Sequence, residues 1–238
     1  MNIMRRIDDA CDYMHKIYAG GHYPELTVER DWSPHNPAIS GELPRPQAYR
    51  WYLRRELVQL VARGARLRIR ASRRVVDLNS PDLLEFVDEG RDDPTRKKLF
   101  LFSPERCELS IERLEHYTGT QAVQFQRYVL LTNYAMHMDA FAERYPDCTK
   151  PTRQVQMPAY HHEADDNQGV SIVNIGVGPS NAKNLTDHLA VLRPDAMIMV
   201  GHCGGIRNHQ AIGEFVLASG YMRADRVLDD ALPLNVPV

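Results

Sequence analysis

The chain has 238 residues, 43% of them hydrophobic and 25% charged, and its 29 basic and 31 acidic side chains leave a net charge of −2. These are globular proportions for one large domain or two small ones, and they exclude a disordered tail, a collagen-like repeat and a small disulfide scaffold. The near-neutral balance also argues against a chain-wide field for nucleic acid or a membrane surface. Cys11, Cys107, Cys148 and Cys203 show neither a CxxC pair nor metal-ligand spacing, so they read as the reduced thiols of a cytoplasmic protein. The first residues turn polar at Arg5-Arg6 before an apolar signal segment can form. The longest apolar run, near Ala196–Val200, is far short of the ~20 residues that span a bilayer.

In chain order, Met4, Ile7, Cys11, Met14 and Tyr18 recur at helical steps and predict an amphipathic helix ending at Gly20-Gly21. A short strand is expected at Leu26–Val28. Pro34, Pro37, Pro44 and Pro46 make 33–46 a loop. Tyr49, Leu53, Leu57 and Leu60 mark a second helix, capped at Gly64. From Arg54 to Arg74 the chain carries eight arginines against one acid, Glu56. Leu67 and Ile69 alternate with Arg66, Arg68 and Arg70, the period of a half-exposed strand. The favoured reading is a solvated face; the sharper one is an anion site for phosphate or a nucleotide effector. Nucleic acid fits less well, because no aromatics interleave the arginines to stack on bases. The acidic stretch Asp82 to Asp93 reads as a surface loop.

Lys97–Phe102 reads as a strand, and Ser110 as the cap of a short helix with Leu109 and Leu114 as its staple and Gly119 at its end. The domain boundary is placed here, giving domains 1–118 and 119–238. Strand and helix then alternate: strand Tyr128–Leu131, a Thr132-Asn133-Tyr134 turn, helix Tyr134–Arg144, strands Val155–His161 and Val170–Ile175, helix Ser180–Leu192, a buried strand Ala196–Val200, and strand Glu214–Ser219. That order is the signature of an α/β layer with a mixed or parallel sheet.

Two glycine-bearing loops leave the carboxyl ends of apolar strands, where open α/β sheets bind ligands. In Asn174-Ile-Gly176-Val-Gly178-Pro179-Ser180 the glycines allow a tight turn, and Ser180 can cap the helix behind it. The same loop can do no more than seat that helix. In Gly201-His202-Cys203-Gly204-Gly205, paired glycines let a flat ligand lie on bare backbone, and His202 can donate to a sugar or phosphate oxygen. Taken singly, Cys203 reads as a core filler and His202 as a satisfied loop histidine. A metal site built from His161, His162, Glu163 and Asp166 is disfavoured, because adjacent strand residues point to opposite faces.

The combination Val170-Ser-Ile-Val-Asn-Ile-Gly-Val-Gly-Pro-Ser-Asn-Ala-Lys183, Asp187-His-Leu-Ala-Val-Leu-Arg-Pro-Asp195, Gly201-His-Cys-Gly-Gly205 and Ala211-Ile-Gly-Glu-Phe-Val-Leu-Ala218 closely resembles the AMP nucleosidases, within the nucleoside phosphorylase and nucleosidase superfamily. His116-Tyr-Thr-Gly-Thr120, Leu131-Thr-Asn-Tyr134 and Tyr221-Met-Arg223 are similar to the same family, and the arginine-rich region to its regulatory N-terminal domain. The resemblance implies a nucleoside-phosphorylase-like mixed sheet flanked by helices, C-terminally incomplete, after a smaller α+β N-terminal domain. It implies hydrolysis of the N-glycosidic bond of AMP to adenine and ribose 5-phosphate, without a cofactor. MgATP activation, phosphate inhibition and homo-oligomers are likewise implied.

By position, the resemblance places Asn133 and Tyr134 near the phosphate or sugar end, and His202, Cys203 and Gly204 against ribose and base. Gly178, Ser180 and Arg223 complete the substrate-binding set, Arg223 as a phosphate contact. Phosphorylases of the superfamily carry an arginine where this chain has Met197-Ile-Met-Val200, which fits water as nucleophile. The family's Met-Glu-Ser and Ser-Asp-Lys-Pro segments do not occur up to Val238. The catalytic acid is therefore expected beyond residue 238, a truncated sheet with exposed edges is expected, and little hydrolysis is expected of the chain alone. The alternative is a non-catalytic nucleotide-binding or regulatory fragment.

Overall fold

The computed structural model describes residues 3–30, 39–76 and 102–218. The acidic stretch, residues 97–101 of the expected strand, Ser219 and Arg223 lie outside the described residues. The chain builds two sheets with helices packed between and around them.

Helix α1 (Ile3–Ala19) buries Ile7, Cys11 and Met14, the stripe that its spacing predicts, and stops at Gly21, whose φ of 85° is open to glycine. Strand β1 (His22–Glu29) is the centre of an antiparallel sheet with β2 (Ile39–Glu42) and β3 (Arg66–Val75). β2 lies inside the stretch expected to be loop. Its prolines fall on either side of it, and pairing of Val28 with Ile39 through Glu25 with Glu42 makes the strand. Helix α2 (Arg50–Ala62) buries Trp51, Tyr52, Leu53, Leu57 and Leu60 against α1 and ends at Gly64, with φ 91°.

The arginine run is spent largely on ion pairs. On the sheet, Arg70 chelates Glu25 directly across the ladder at 2.8 and 2.9 Å, Arg68 meets Glu29 at 2.6 Å, and Arg74 reaches Glu42 at 2.9 Å and also pairs with Glu105. On α2, Arg54 holds Asp8 at 2.7 Å and Arg55 pairs with Asp195. Opposite charges set facing one another on a pleated surface support the pairing of the strands.

Helix α3 (Pro104–Thr118) starts earlier than expected. Ser103, not Ser110, caps it by accepting the Arg106 N–H at 3.3 Å, and Pro104 takes the first helical position, which has no use for an N–H. Ser110 is buried inside the helix, 3.3 Å from His188. Gly119 ends the helix at φ 70°, as the sequence suggests.

The second sheet has the order β5-β6-β4-β7. β4 (Tyr128–Thr132), β6 (Val170–Asn174) and β7 (Ala196–Val200) are parallel, and β5 (Ala159–His162) runs antiparallel on β6. Helix α4 (Ala135–Arg144) follows β4, and α5 (Pro179–Leu189) carries the chain from β6 over to β7. The fold is the expected mixed α/β sheet flanked by helices, behind a small antiparallel sheet.

Three expectations change here. β5 begins only at Ala159, because Met157 gives its N–H to Tyr117 of α3 rather than to the sheet. β7 is apolar but not buried: Met197, Ile198 and Met199 are 42%, 53% and 50% exposed, since β4 is its one strand neighbour among the described residues. Residues 214–218 form no strand, and Phe215 and Leu217 are exposed.

One apolar core runs from Ile7 and Leu57 through Ile111 and Leu114 to Val173 and Leu189, so α1, α2, α3, α5 and β6 share it. Among the described residues no helix is long and apolar enough to cross a membrane.

Candidate functional site

Register decides where the loops emerge. Thr132, the last residue of β4, lies between Asn174 of β6 and Val200 of β7. The turn at Asn133-Tyr134, the glycine loop 175–178 and the loop from Gly201 therefore leave the same edge of the sheet. β4 is central, and the chain departs from it to one side and returns over it through α5 to the other. Such a reversal opens a crevice at the carboxyl ends of the strands.

The Thr132 side chain organises this edge. It is buried, accepts the Tyr134 N–H at 3.1 Å, and its hydroxyl lies 2.6 Å from Nδ1 of His137 in the first turn of α4. The ring of His137 is 5.4 Å from that of Tyr134 and 5.1 Å from that of His202, and Tyr134 and His202 are 4.5 Å apart. Residues 134 and 202 thus meet, and His137 completes a triangle with them. Sequence reasoning passed over His137, although the Thr-Asn-Tyr turn into a helix, five residues from Thr132, is a signal that could have found it.

Asn133, Gly178, Ser180, Cys203 and Gly204 lie in the loops that leave the same edge. Asn133 is half-buried, and its Oδ1 is sealed from solvent with no hydrogen-bond partner among the described residues. Gly178, at φ 110°, is the N-cap of α5, a backbone geometry open to glycine, and Pro179 takes the first helical position. That displaces Ser180, expected as the cap, into the exposed first turn. Asn174 braces the loop by accepting the Gly176 N–H at 3.0 Å. Cys203 and Gly204 are exposed, so Cys203 is not a core filler.

The opposite end of the same strands is tied down by charge. Arg127, just before β4, pairs with Asp195, just before β7, at 3.0 Å, and Asp195 returns its own N–H to the Arg127 carbonyl at 2.7 Å. Arg127 and Arg55 both lie over the Trp51 ring, at 4.7 and 5.0 Å. Cation and ring attract one another there beyond simple packing. Helix α2 thereby grips the ends of β4 and β7 remote from the crevice and fixes the two strands that carry the ring triangle.

His161 and His162 divide as strand alternation requires. His162 stacks on Tyr145 at 4.0 Å, while His161 is fully buried against Phe125. Its Nδ1 lies 2.8 Å from Ser171 Oγ and its Nε2 2.8 Å from Thr120 Oγ1. Ser171 also accepts the Gln126 N–H, and in the neutral ring with Nε2 protonated it donates to Nδ1. At the far end Thr118 donates to the Leu114 carbonyl at 2.7 Å, so Thr120 donates to Thr118 and accepts from Nε2–H. Each proton is used once when the ring is neutral. Burial accordingly pushes the His161 pKa down to about 3. This is an internal polar brace between β5, β6 and the end of α3, with no opening to a ligand.

Residues 127–236 match the family described as Phosphorylase superfamily. AMP nucleosidase of Escherichia coli strain K12 is 35% identical to this chain in an alignment covering 91% of the chain and 60% of that enzyme. The O157:H7 counterpart shows the same figures. The chain thus spans about 60% of the length of the curated relatives it matches. The alignment runs over 288 positions against a chain of 238 residues, so the relatives carry additional residues within the matched region. A solved structure, AMP nucleosidase from Bacteroides thetaiotaomicron VPI-5482, is 32% identical, with a TM-score of 0.48 over 56% of this chain and 53% of that one. Residues 127–236 are thus similar to the phosphorylase superfamily, and the chain as a whole is similar to about 60% of the length of AMP nucleosidases.

Proposed function

We propose that this chain binds AMP across the carboxyl ends of β4, β6 and β7 and acts in hydrolysis of its N-glycosidic bond, to adenine and ribose 5-phosphate. The observation that carries the reading is 35% identity to AMP nucleosidase along 91% of the chain. The convergence of three loops on one sheet edge supports it. In this reading the glycine loops bring backbone N–H and C=O groups to the ligand, while Tyr134 and His202 supply polar contacts beside them. Glycosidic cleavage through an oxocarbenium-like sugar also needs an acid at the purine and a carboxylate at the attacking water. Neither role is assigned to a described residue of this chain. The reaction as read needs no cofactor. In this reading MgATP and phosphate are effectors, and the basic run, five of whose eight arginines are engaged by carboxylates, has three left for them. A cytoplasmic location and assembly with further copies of the chain belong to the same proposal.

The test is calorimetric titration of the purified chain with AMP, adenosine and GMP, with adenine release followed in parallel by chromatography. Saturable AMP binding with adenine release is the result expected of a nucleosidase. Saturable binding without release assigns the chain the alternative role of a non-catalytic nucleotide binder. Absence of AMP binding refutes the reading.

A further inference from the structure

Among the described residues, β4 and β6 carry buried side chains in the main apolar core, Val129, Leu131 and Val173 among them, whereas none of residues 196–200 of β7 belongs to an apolar core. A strand with one neighbour and half-exposed side chains is held by its ladder and by whatever ties its ends. The tie on β7 is at Asp195. Its N–H goes to the Arg127 carbonyl at 2.7 Å, and its carboxylate is shared between Arg127 and Arg55. Arg55 comes from α2, where its guanidinium lies over the buried Trp51 ring and also meets Glu56 at 3.0 Å.

The neighbouring arginines reach the third parallel strand. Asp166, in the turn that leads into β6, lies 3.5 Å from Arg54 of α2 and 4.0 Å from Arg127, and the Arg127 N–H donates to the Asn167 carbonyl at 2.8 Å. Asp166 and Asn167 stand at φ 56° and 55°, uncommon for residues other than glycine, at the point where the arginines meet the turn. Charges on α2 thus tie the amino ends of β4, β6 and β7, while the loops of the crevice leave their carboxyl ends. Of the three strands, β7 has the least packing between tie and loop.

We propose that Arg55 is a positioning residue for the nucleotide site: by holding Asp195 it fixes β7 against β4, and with β7 the loop from Gly201 that carries His202. The inference rests on the AMP reading and deepens it, because it makes nucleotide affinity depend on a side chain of α2 at the end of the strands remote from the crevice.

The experiment compares wild type with Arg55→Gln, Arg55→Lys and Asp195→Asn by hydrogen–deuterium exchange without ligand, AMP titration and urea unfolding. D195N removes the same contact as R55Q while leaving Arg55 on Glu56. Partly exposed ion pairs add little to global stability, so all four chains are expected to unfold at similar urea concentrations. Exchange of the β7 amides, 196–200, is expected to rise about fivefold in R55Q and D195N with β4 and β6 unchanged. AMP affinity is expected to fall by about fivefold in both. R55K, which restores the charge but not the planar fork, is expected to recover part of each loss. With wild-type AMP binding intact, unchanged β7 exchange, a rise shared equally by β4 and β6, or faster β7 exchange with unchanged AMP affinity each overturns the proposal. A wild-type chain that binds no AMP overturns the AMP reading and the positioning role together.

Discussion

Protonation of His161 is the most direct test of the buried brace. The unfolded-state pKa is near the ordinary 6.5 and burial lowers the folded value to about 3. Above pH 6.5 the ring is neutral in both states and contributes no pH dependence. As pH falls below that value the unfolded chain takes up a proton that the folded chain refuses, so stability declines and levels off only near pH 3. At about pH 5 the gap from 6.5 is about 1.5 pH units, which at 1.36 kcal/mol per unit is a loss of about 2 kcal/mol. A second ring proton would also require the Ser171 hydroxyl to turn its own proton away from Nδ1. The assay is urea unfolding followed by circular dichroism at about pH 7.5 and about pH 5, for wild type and for His161→Gln, whose side chain does not titrate. Wild type is expected to lose about 2 kcal/mol more than the variant over that interval. Identical losses would refute the neutral, sealed histidine, whatever the variant does to absolute stability.

Two further outcomes follow from burial and backbone. Glu108 is 1% exposed and holds Arg45 at 2.8 Å and the Tyr18 hydroxyl at 2.5 Å, while Arg45 also pairs with Glu112. Arg45→Ala strands a buried carboxylate and is expected to cost about 3 kcal/mol in denaturant unfolding, with Glu108→Gln in the same chain recovering part of it; a lone R45A cost under about 1 kcal/mol would contradict this. Gly169 leads into β6, and a Cβ there would stand 1.9 Å from the His162 carbonyl oxygen. Gly169→Ala is therefore expected to break the β5–β6 connection and cost about 3 kcal/mol, and an unshifted melting temperature would show that the backbone gives way freely.

Much of the framework was legible because it is written in local periodicity. Ile7, Cys11 and Met14 announce α1, and Val170–Asn174 and Ala196–Val200 announce strands, since burial on one face repeats with the turn of a helix or the pleat of a strand. Glycine at 176, 178 and 201 likewise marks loops wherever the chain puts them. Even at this level the cap of α3 is Ser103 rather than Ser110, because Pro104 starts the helix at its first position. What local pattern cannot carry is which strands become neighbours. β2 exists only as a partner of β1, and the exposure of β7 follows from its place at the edge rather than from its apolar composition. The arginine run has one appearance in sequence whether it binds a ligand or its own carboxylates. Contacts such as Arg55 with Asp195, 140 positions apart, decide the matter. The sequence by itself determined the loops and the residue types beside them. Only the parallel register of Thr132 with Val200 brought His137 and Tyr134 of one crossover against His202 of another. Ring contact is a distance between side chains far apart in the chain, and only packing of the sheet sets that distance.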